Sequence, residues 1–276
     1  MRPPDPKKGA LKPWLKRRYC IPAKENARFV WRMEDVLDVY RRPYDPKRPQ
    51  VCLDEVSTQL LSDARAAQPM EPGRPARQDY EYVRHGTASL FMCYEPLRGR
   101  RHVEVRQRRT KLDFAQVIKD LVDIHYPEAE RIVVVLDNLN THTPASLYEA
   151  FAPAEAKRLA DKLEIHYTPE HGSWLNMAEI ELSVLDRQCL DRRISDIATL
   201  AHETAAWEAT RNAGATGVDW RFTTADGGWQ SMTLTASEKA KAESPSMLVC
   251  SDLVRDGSFK LRISPPYPGI MECVPK

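Results

Sequence analysis

Apolar and polar positions divide the first 226 residues into a succession of short strands and helices. Over 24–40, KENARFVWRMEDVLDVY, the side chains Phe29, Val30, Met33, Val36, Leu37 and Tyr40 recur at helical spacing. The proline-rich stretch RRPYDPKRPQ ends that helix, and VCLDE at 51–55 follows as a short buried strand. Residues 67–78, containing Pro, Gly and Arg, predict a loop. SLFMCYEPL (89–97) and RHVEVRQRR (101–109) predict a hairpin turning around Gly99, with basic residues at its turn and exit. A helix over 112–125 has Phe114, Val117, Ile118, Leu121 and Val122 on its apolar side. IVVVLD at 132–137 is the clearest strand, and its unbroken β-branched run predicts burial on both faces. A helix near 144–160, a strand LEIHYT at 163–168, and helices over 175–190 and 196–212 complete the ordered part.

Strands first, then strand–helix alternation, predict an α/β domain with a mixed sheet flanked by helices. Three segments follow: a basic N-terminal segment with one helix (1–48), the α/β domain (49–213), and a C-terminal tail (214–276). The first ten residues carry three prolines and are expected to be disordered. In the tail the pattern weakens after Asp226; SMLVCSDLV could form another element, whereas the SPPYPG ending cannot be regular structure. No internal repeat is visible.

Composition narrows the setting. Apolar residues make up 42% of 276, an ordinary share for a globular protein. The longest strongly apolar run, IVVVL, is far too short to span a bilayer. The opening residues lack the apolar region of a secretory signal, so a cytoplasmic protein without a membrane anchor is expected. Six scattered cysteines (20, 52, 93, 189, 250, 273) contain no CxxC pair and read as small apolar fillers. The net charge of +2 conceals local bias: residues 1–50 hold 14 Lys/Arg against 6 Asp/Glu, and Arg98–Lys111 hold seven basic residues against Glu104 alone. Such patches fit a polyanion footprint, although a solvated basic face fits the charge equally well.

The candidate chemistry lies in carboxylates. Asp54 and Asp137 are each expected at the C-terminal end of a strand, the edge where open α/β sheets bind ligands. An aspartate there can also simply cap the next helix. Glu55 adjoins Asp54, and since neighbouring strand residues point to opposite faces, only one of the two can join a shared cluster. In GSWLNMAEIELSVL, Leu175, Ala178, Leu182, Leu185 and Cys189 form one apolar stripe, and Met177, Ile180 and Val184 a second. Glu179 falls between them beside Asn176 and Ser183, while Glu181 occupies the opposite gap and is not excluded. Three converging carboxylates would hold hard cations such as Mg²⁺ or Mn²⁺. Two such ions about 4 Å apart support in-line displacement at phosphorus, and a basic hairpin beside them would neutralise phosphates. His142, His166 and His171 are spaced too loosely to favour a zinc site.

The strings VCLDE, VVVLDNLNTHTP and HYTPEHGSWLNMAEIELSVLDRQ resemble the three catalytic blocks of bacterial insertion-sequence transposases related to the mariner superfamily, the IS-six-thirty family. The resemblance runs from about Leu11 to Asp226. It implies a ribonuclease-H-like fold and an Asp-Asp-Glu metal triad of Asp54, Asp137 and Glu179, holding two Mg²⁺ or Mn²⁺ ions. Asn138 and His142 match the D-N-x-x-x-H stretch of the second block, and Asn176 the N-x-x-E of the third. Asn138, His142, His171 and Asn176 are expected to surround the triad, and Arg100, Arg101, Arg106, Arg108 and Arg109 to contact DNA through phosphates. The implied activity is hydrolysis at transposon ends followed by strand transfer, by a homodimer on double-stranded DNA. Three departures stand out. Only about 50 residues precede Asp54, too few for the helix-turn-helix modules such transposases carry. The tail after Asp226 also differs from the family's usual end, and the Asp137–Glu179 gap of 42 is longer than in mariner elements. The alternatives are a truncated remnant that binds DNA without catalysis, and a same-fold nuclease without strand transfer.

Overall fold

The computed structural model describes residues 18–20, 27–170, 172–215, 217, 220, 247–249, 260–263 and 271–274. In chain order its elements are β1 (Arg18–Cys20), α1 (Ala27–Tyr40), β2 (Gln50–Asp63), β3 (Tyr82–Glu95), β4 (Arg100–Arg106) and α2 (Lys111–Asp120). Next come β5 (Ile132–Leu136), α3 (Ala145–Ala150), α4 (Pro153–Asp161), β6 (Leu163–Tyr167), α5 (Met177–Leu185) and α6 (Ile197–Ala213). Both α2 and α5 end in a wide π turn, over Leu121–His125 and Asp186–Leu190. Glu25–Val218 form one compact unit. In the other unit, β1 pairs with β7 (Met247–Val249), and β8 (Lys260–Ile263) with β9 (Met271–Val274). The expectations for the first ten residues and for the SPPYPG ending lie outside the described residues. Among the described residues, no helix is long and apolar enough to cross a membrane.

Five strands make a mixed sheet in the order β4-β3-β2-β5-β6, the ribonuclease-H-like arrangement. β2, β3 and β4 form an antiparallel meander, whereas β5 and β6 run parallel to β2. Gly99 takes φ +60° in the β3–β4 turn, a conformation that favours glycine. All five residues of β5 are buried, as an apolar run covered on both faces requires. Each such side chain contributes about 1.5–3 kcal/mol through burial.

Side-chain alternation sorts the sheet into two faces. Val51, Leu53, Phe91, Cys93, Ile132, Val134 and Leu136 join one core with Phe114, Val117, Ile118 and Leu121 of the α2 segment, and Leu147 and Leu159 of α3 and α4. On the opposite face α5 packs over β2 and β3, and α1 over β6. Tyr40 of α1 reaches this side, donating to the Leu175 carbonyl at 2.7 Å and lying 3.4 Å from Cys52 Sγ.

Two expectations need correction. The helix near 144–160 is two helices, because Pro153 begins a new one and forces extended backbone on Ala152. β2 does not stop at Glu55 but continues to Asp63, so Asp54 is not at a strand terminus. Its parallel neighbour β5, however, pairs only as far as Cys52↔Val135. Before Ser89 β3 likewise has β2 as its one partner, and the outer halves of β2 and β3 form a two-stranded arm reaching Asp63↔Tyr82.

Candidate active site

The end of the β2–β5 ladder builds the site. Its register pairs Gln50 with Val133, Val51 with Val134 and Cys52 with Val135. Continued two residues further, it sets Asp54 level with Asp137. Because Val51 and Leu53 face the α2 core, Asp54 points to the other side, under α5, and Glu55 points towards α2. The ambiguity between Asp54 and Glu55 is thereby resolved by sheet parity.

α5 brings the third carboxylate. Asn176 is its N-cap: the side-chain oxygen accepts from Ala178 N–H at 3.1 Å, while the side-chain amide donates to the Leu53 carbonyl at 2.8 Å. One fully buried residue thus starts the helix and ties it to the residue before Asp54. Glu179, in the first turn, lines an open cleft with Asp54, Ser57, Ser173 and Ser183. Ahead of α5, Gly172 closes a turn onto the Pro169 carbonyl at 2.9 Å, and a Cβ there would collide with the Pro169 ring. His171 lies outside the described residues.

Burial pushes the Asp54 carboxyl up to about 7; the negative charges of Asp137, Glu55 and Glu179 add to the rise, and a hydrogen bond from Glu55 N–H at 2.9 Å opposes it. Desolvation also raises the Glu179 carboxyl, against a hydrogen bond from Ser173, although the residue as a whole is exposed. Asp54 therefore carries a charge cost that a bound cation would relieve. Three carboxylates are the donor set of a hard divalent cation, so the residues fit Mg²⁺ or Mn²⁺ in kind. They do not form a preformed cage: among the described residues, no group of three or more His, Cys, Asp and Glu is drawn together as a metal site.

Asp137 is held by His142. The imidazole Nδ1 lies against Asp137 Oδ1, and Nε2 stands 2.9 Å from Glu55 Oε2. Burial pulls His142 down, but its two carboxylate partners outweigh that and push it up to about 9. Leu139 N–H, at a long 3.4 Å, also points at Asp137. Asn138 follows Asp137 in an exposed loop. His166 stands apart on β6, 2.8 Å from Asp35 and 3.2 Å from Glu164.

The expected arginine contacts divide. Arg101 is fully buried, its Nε 3.0 Å from Glu181, which Arg211 also pairs at 3.0 Å. It faces no solvent and is corrected from a DNA contact to an internal ion pair, and Glu181 leaves the set of possible ligands with it. Arg106 is partly buried between Glu104 and Asp120. Arg100 is partly buried, Arg109 lies 3.7 Å from Glu55 with its side chain 57% exposed, and Arg108 is exposed. Glu55 was the partner that sequence patterning left unassigned; its parity with Val51 and Leu53 is the signal that assigns it.

A sequence profile described as DDE superfamily endonuclease matches residues 49–201. The fold resembles "Crystal structure of the Mos1 mariner paired end complex with Mn" (TM-score 0.50, 17% identity, 73% of this chain and 62% of that one). It resembles equally "Crystal structure of a pre-cleavage Mos1 transpososome" (0.50, 17%, 75% and 64%) and "Crystal structure of the Mos1 Strand Transfer Complex" (0.50, 15%, 75% and 62%). The match spans less than two thirds of the length of those chains. Among curated proteins, none matches.

Proposed function

This chain belongs to the DDE superfamily endonuclease family, and from that membership we propose that it is a DNA transposase of the mariner-related, IS-six-thirty kind. Residues 49–213 serve as its catalytic domain. The reaction is hydrolysis of phosphodiester bonds at transposon ends, followed by attack of the freed 3′-hydroxyl on target DNA. The observation that carries this reading is geometric: the β2–β5 register, continued two residues, sets Asp54 level with Asp137, and Glu179 of α5 lines the same cleft as Asp54, although the three lie far apart in the chain.

Asp54 and Asp137 would hold a pair of Mg²⁺ or Mn²⁺ ions, with Glu179 completing the second site. When bound, such ions supply Lewis acidity to the attacking and leaving oxygens. The chain's own residues provide placement: Asn176 fixes the first turn of α5 against β2, and His142 restrains Asp137. The exposed Arg108 and the outer Arg109 would neutralise backbone phosphates beside the cleft. The partner is double-stranded DNA, bound by a homodimer so that each site serves one element end, in the cytoplasm. The similar structures, described as a paired end complex with Mn and a strand transfer complex, support this reading.

The test uses the full chain, Mn²⁺ or Mg²⁺, and duplexes taken from the DNA on either side of its coding sequence. Metal-dependent nicking and joining are expected, with both abolished in D54N, D137N and E179Q. Nicking without joining would identify a nuclease. Wild-type behaviour no different from that of the three variants would identify a DNA-binding remnant.

A further inference from the structure

We propose that Glu55 is a positioning residue, acting through His142 to hold the Asp137 carboxylate at the cation site without itself being a ligand. The inference rests on the assignment of Asp137 above. Glu55 is a carboxylate with its side chain only 2% exposed, yet parity turns it to the face of β2 opposite Asp54. A buried carboxylate is costly without a partner. Its partners are His142 Nε2 at 2.9 Å and, more loosely, the Arg109 guanidinium at 3.7 Å.

His142 connects the two sides of the sheet at the point where β5 ends. Its side chain is 1% exposed, with one ring nitrogen on Glu55 and the other on Asp137. The Phe114 ring packs against the imidazole at 4.8 Å between centroids, and the Tyr167 hydroxyl donates to the His142 carbonyl at 2.9 Å. Contact at both nitrogens fixes the ring's rotation as well as its position, so the orientation of the Asp137 carboxylate depends on a residue it never touches. Carboxylates and imidazoles behind metal ligands act in this way, and removing them commonly weakens metal binding about ten- to a hundredfold.

The test measures Mn²⁺ binding to the full chain without DNA, from the electron paramagnetic resonance signal of free Mn²⁺, alongside thermal melting. The proteins are wild type, D137N, E55A, E55Q, H142A and E55A/H142A. E55A is expected to weaken Mn²⁺ binding about tenfold or more. E55Q, which keeps an acceptor for His142 and the shape of the site, recovers most of the loss and covers the case in which E55A fails to fold. In the H142A background, E55A adds no further loss, as residues acting in series require. E55Q as damaging as E55A would make Glu55 a ligand by charge and overturn the proposal. Lower melting with unchanged Mn²⁺ affinity would reduce Glu55 to a structural role, and additive losses would remove His142 as the intermediary. If wild type binds Mn²⁺ no better than D137N, the metal reading fails and this inference with it; a difference between those two with E55A unchanged removes the inference alone.

Discussion

The Asn176 side-chain amide donates to the Leu53 carbonyl at 2.8 Å while its oxygen caps α5 through Ala178 N–H, so strand and helix are registered by a single residue. Replacing it removes two interactions of different kinds. Loss of the cap costs about 1 kcal/mol. A buried Leu53 carbonyl left without its donor costs about 1–3 kcal/mol more. N176A should therefore lose about 2–4 kcal/mol in urea denaturation. N176D keeps the cap acceptor but buries a carboxylate whose oxygen faces the Leu53 carbonyl in place of a donor, and that cost cancels the retained cap, so it should be no more stable than N176A. Wild-type stability in either variant would mean that the two bonds do not hold the helix to the strand.

Arg101 offers a contrasting case, since its charge is committed inside the protein. It pairs with Glu181, shared with Arg211, while its backbone N–H donates to Asn212 Oδ1 at 2.9 Å and its guanidinium lies 5.1 Å from the centre of the Tyr94 ring. Removing one member of a buried ionic group leaves the other uncompensated, at a cost of about 3–5 kcal/mol. R101A should show that loss in denaturant titration, and E181A a comparable one. A fully stable R101A with weakened DNA binding would restore Arg101 to the surface role its sequence neighbourhood suggested.

How much of this was legible beforehand depended on the range of the interaction. The strand Ile132–Leu136, the hairpin turn at Gly99 and the helix of Asn176 and Glu179 are specified by local pattern, and the structure has all of them. Sheet parity was half legible: alternation said that Asp54 and Glu55 must part, but the choice needed Val51 and Leu53 seated on the α2 core. The 14-residue length of β2 was hidden because its outer half pairs with β3 alone and carries mixed, largely exposed side chains. Arg101 was misread, and Glu181 left open, for a deeper reason. Each has an ordinary polar neighbourhood in the chain, and their burial follows from a contact across 80 positions, between β4 and α5. Composition cannot distinguish an internal ion pair from a basic patch.

Exposed Arg108 supplies the prediction that Arg101 cannot. A phosphate contact releases counterions, so each one removed should reduce the slope of log affinity against log salt by about 0.9 on duplex DNA. R108A is expected to show a loss of that size, nearly independent of DNA sequence, with the melting temperature unchanged. R101A, where enough folded protein remains to measure, should keep the wild-type slope. Fluorescence anisotropy across a salt series measures both. An unchanged slope in R108A would take the β4 exit out of the DNA path.

Glu164 ties β6 to the chain leading into β2, and it makes stability depend on acid in a defined window. Burial works against its charge, but Arg42 at 2.6 Å, His166 at 3.2 Å and the Arg48 guanidinium more than offset this and bring the carboxyl down from 4.5 to about 2. A carboxyl depressed by folding stabilises the protein fully above its unfolded value, and that contribution disappears as pH falls from about 4.5 towards 2. Arg48 is 47% exposed and water screens the pair, so the contribution is on the order of 2 kcal/mol rather than the full value of the shift. E164Q keeps the shape and an acceptor but removes the titration. Near neutral pH it should melt about 4–8 °C below wild type. The gap should narrow as the pH is lowered below about 4.5, because a protonated Glu164 and the amide that replaces it in the variant are then both neutral. A gap that stays constant through that window would assign the loss to packing of the substituted amide, and the charge on Glu164 would have no part in holding β6 in place.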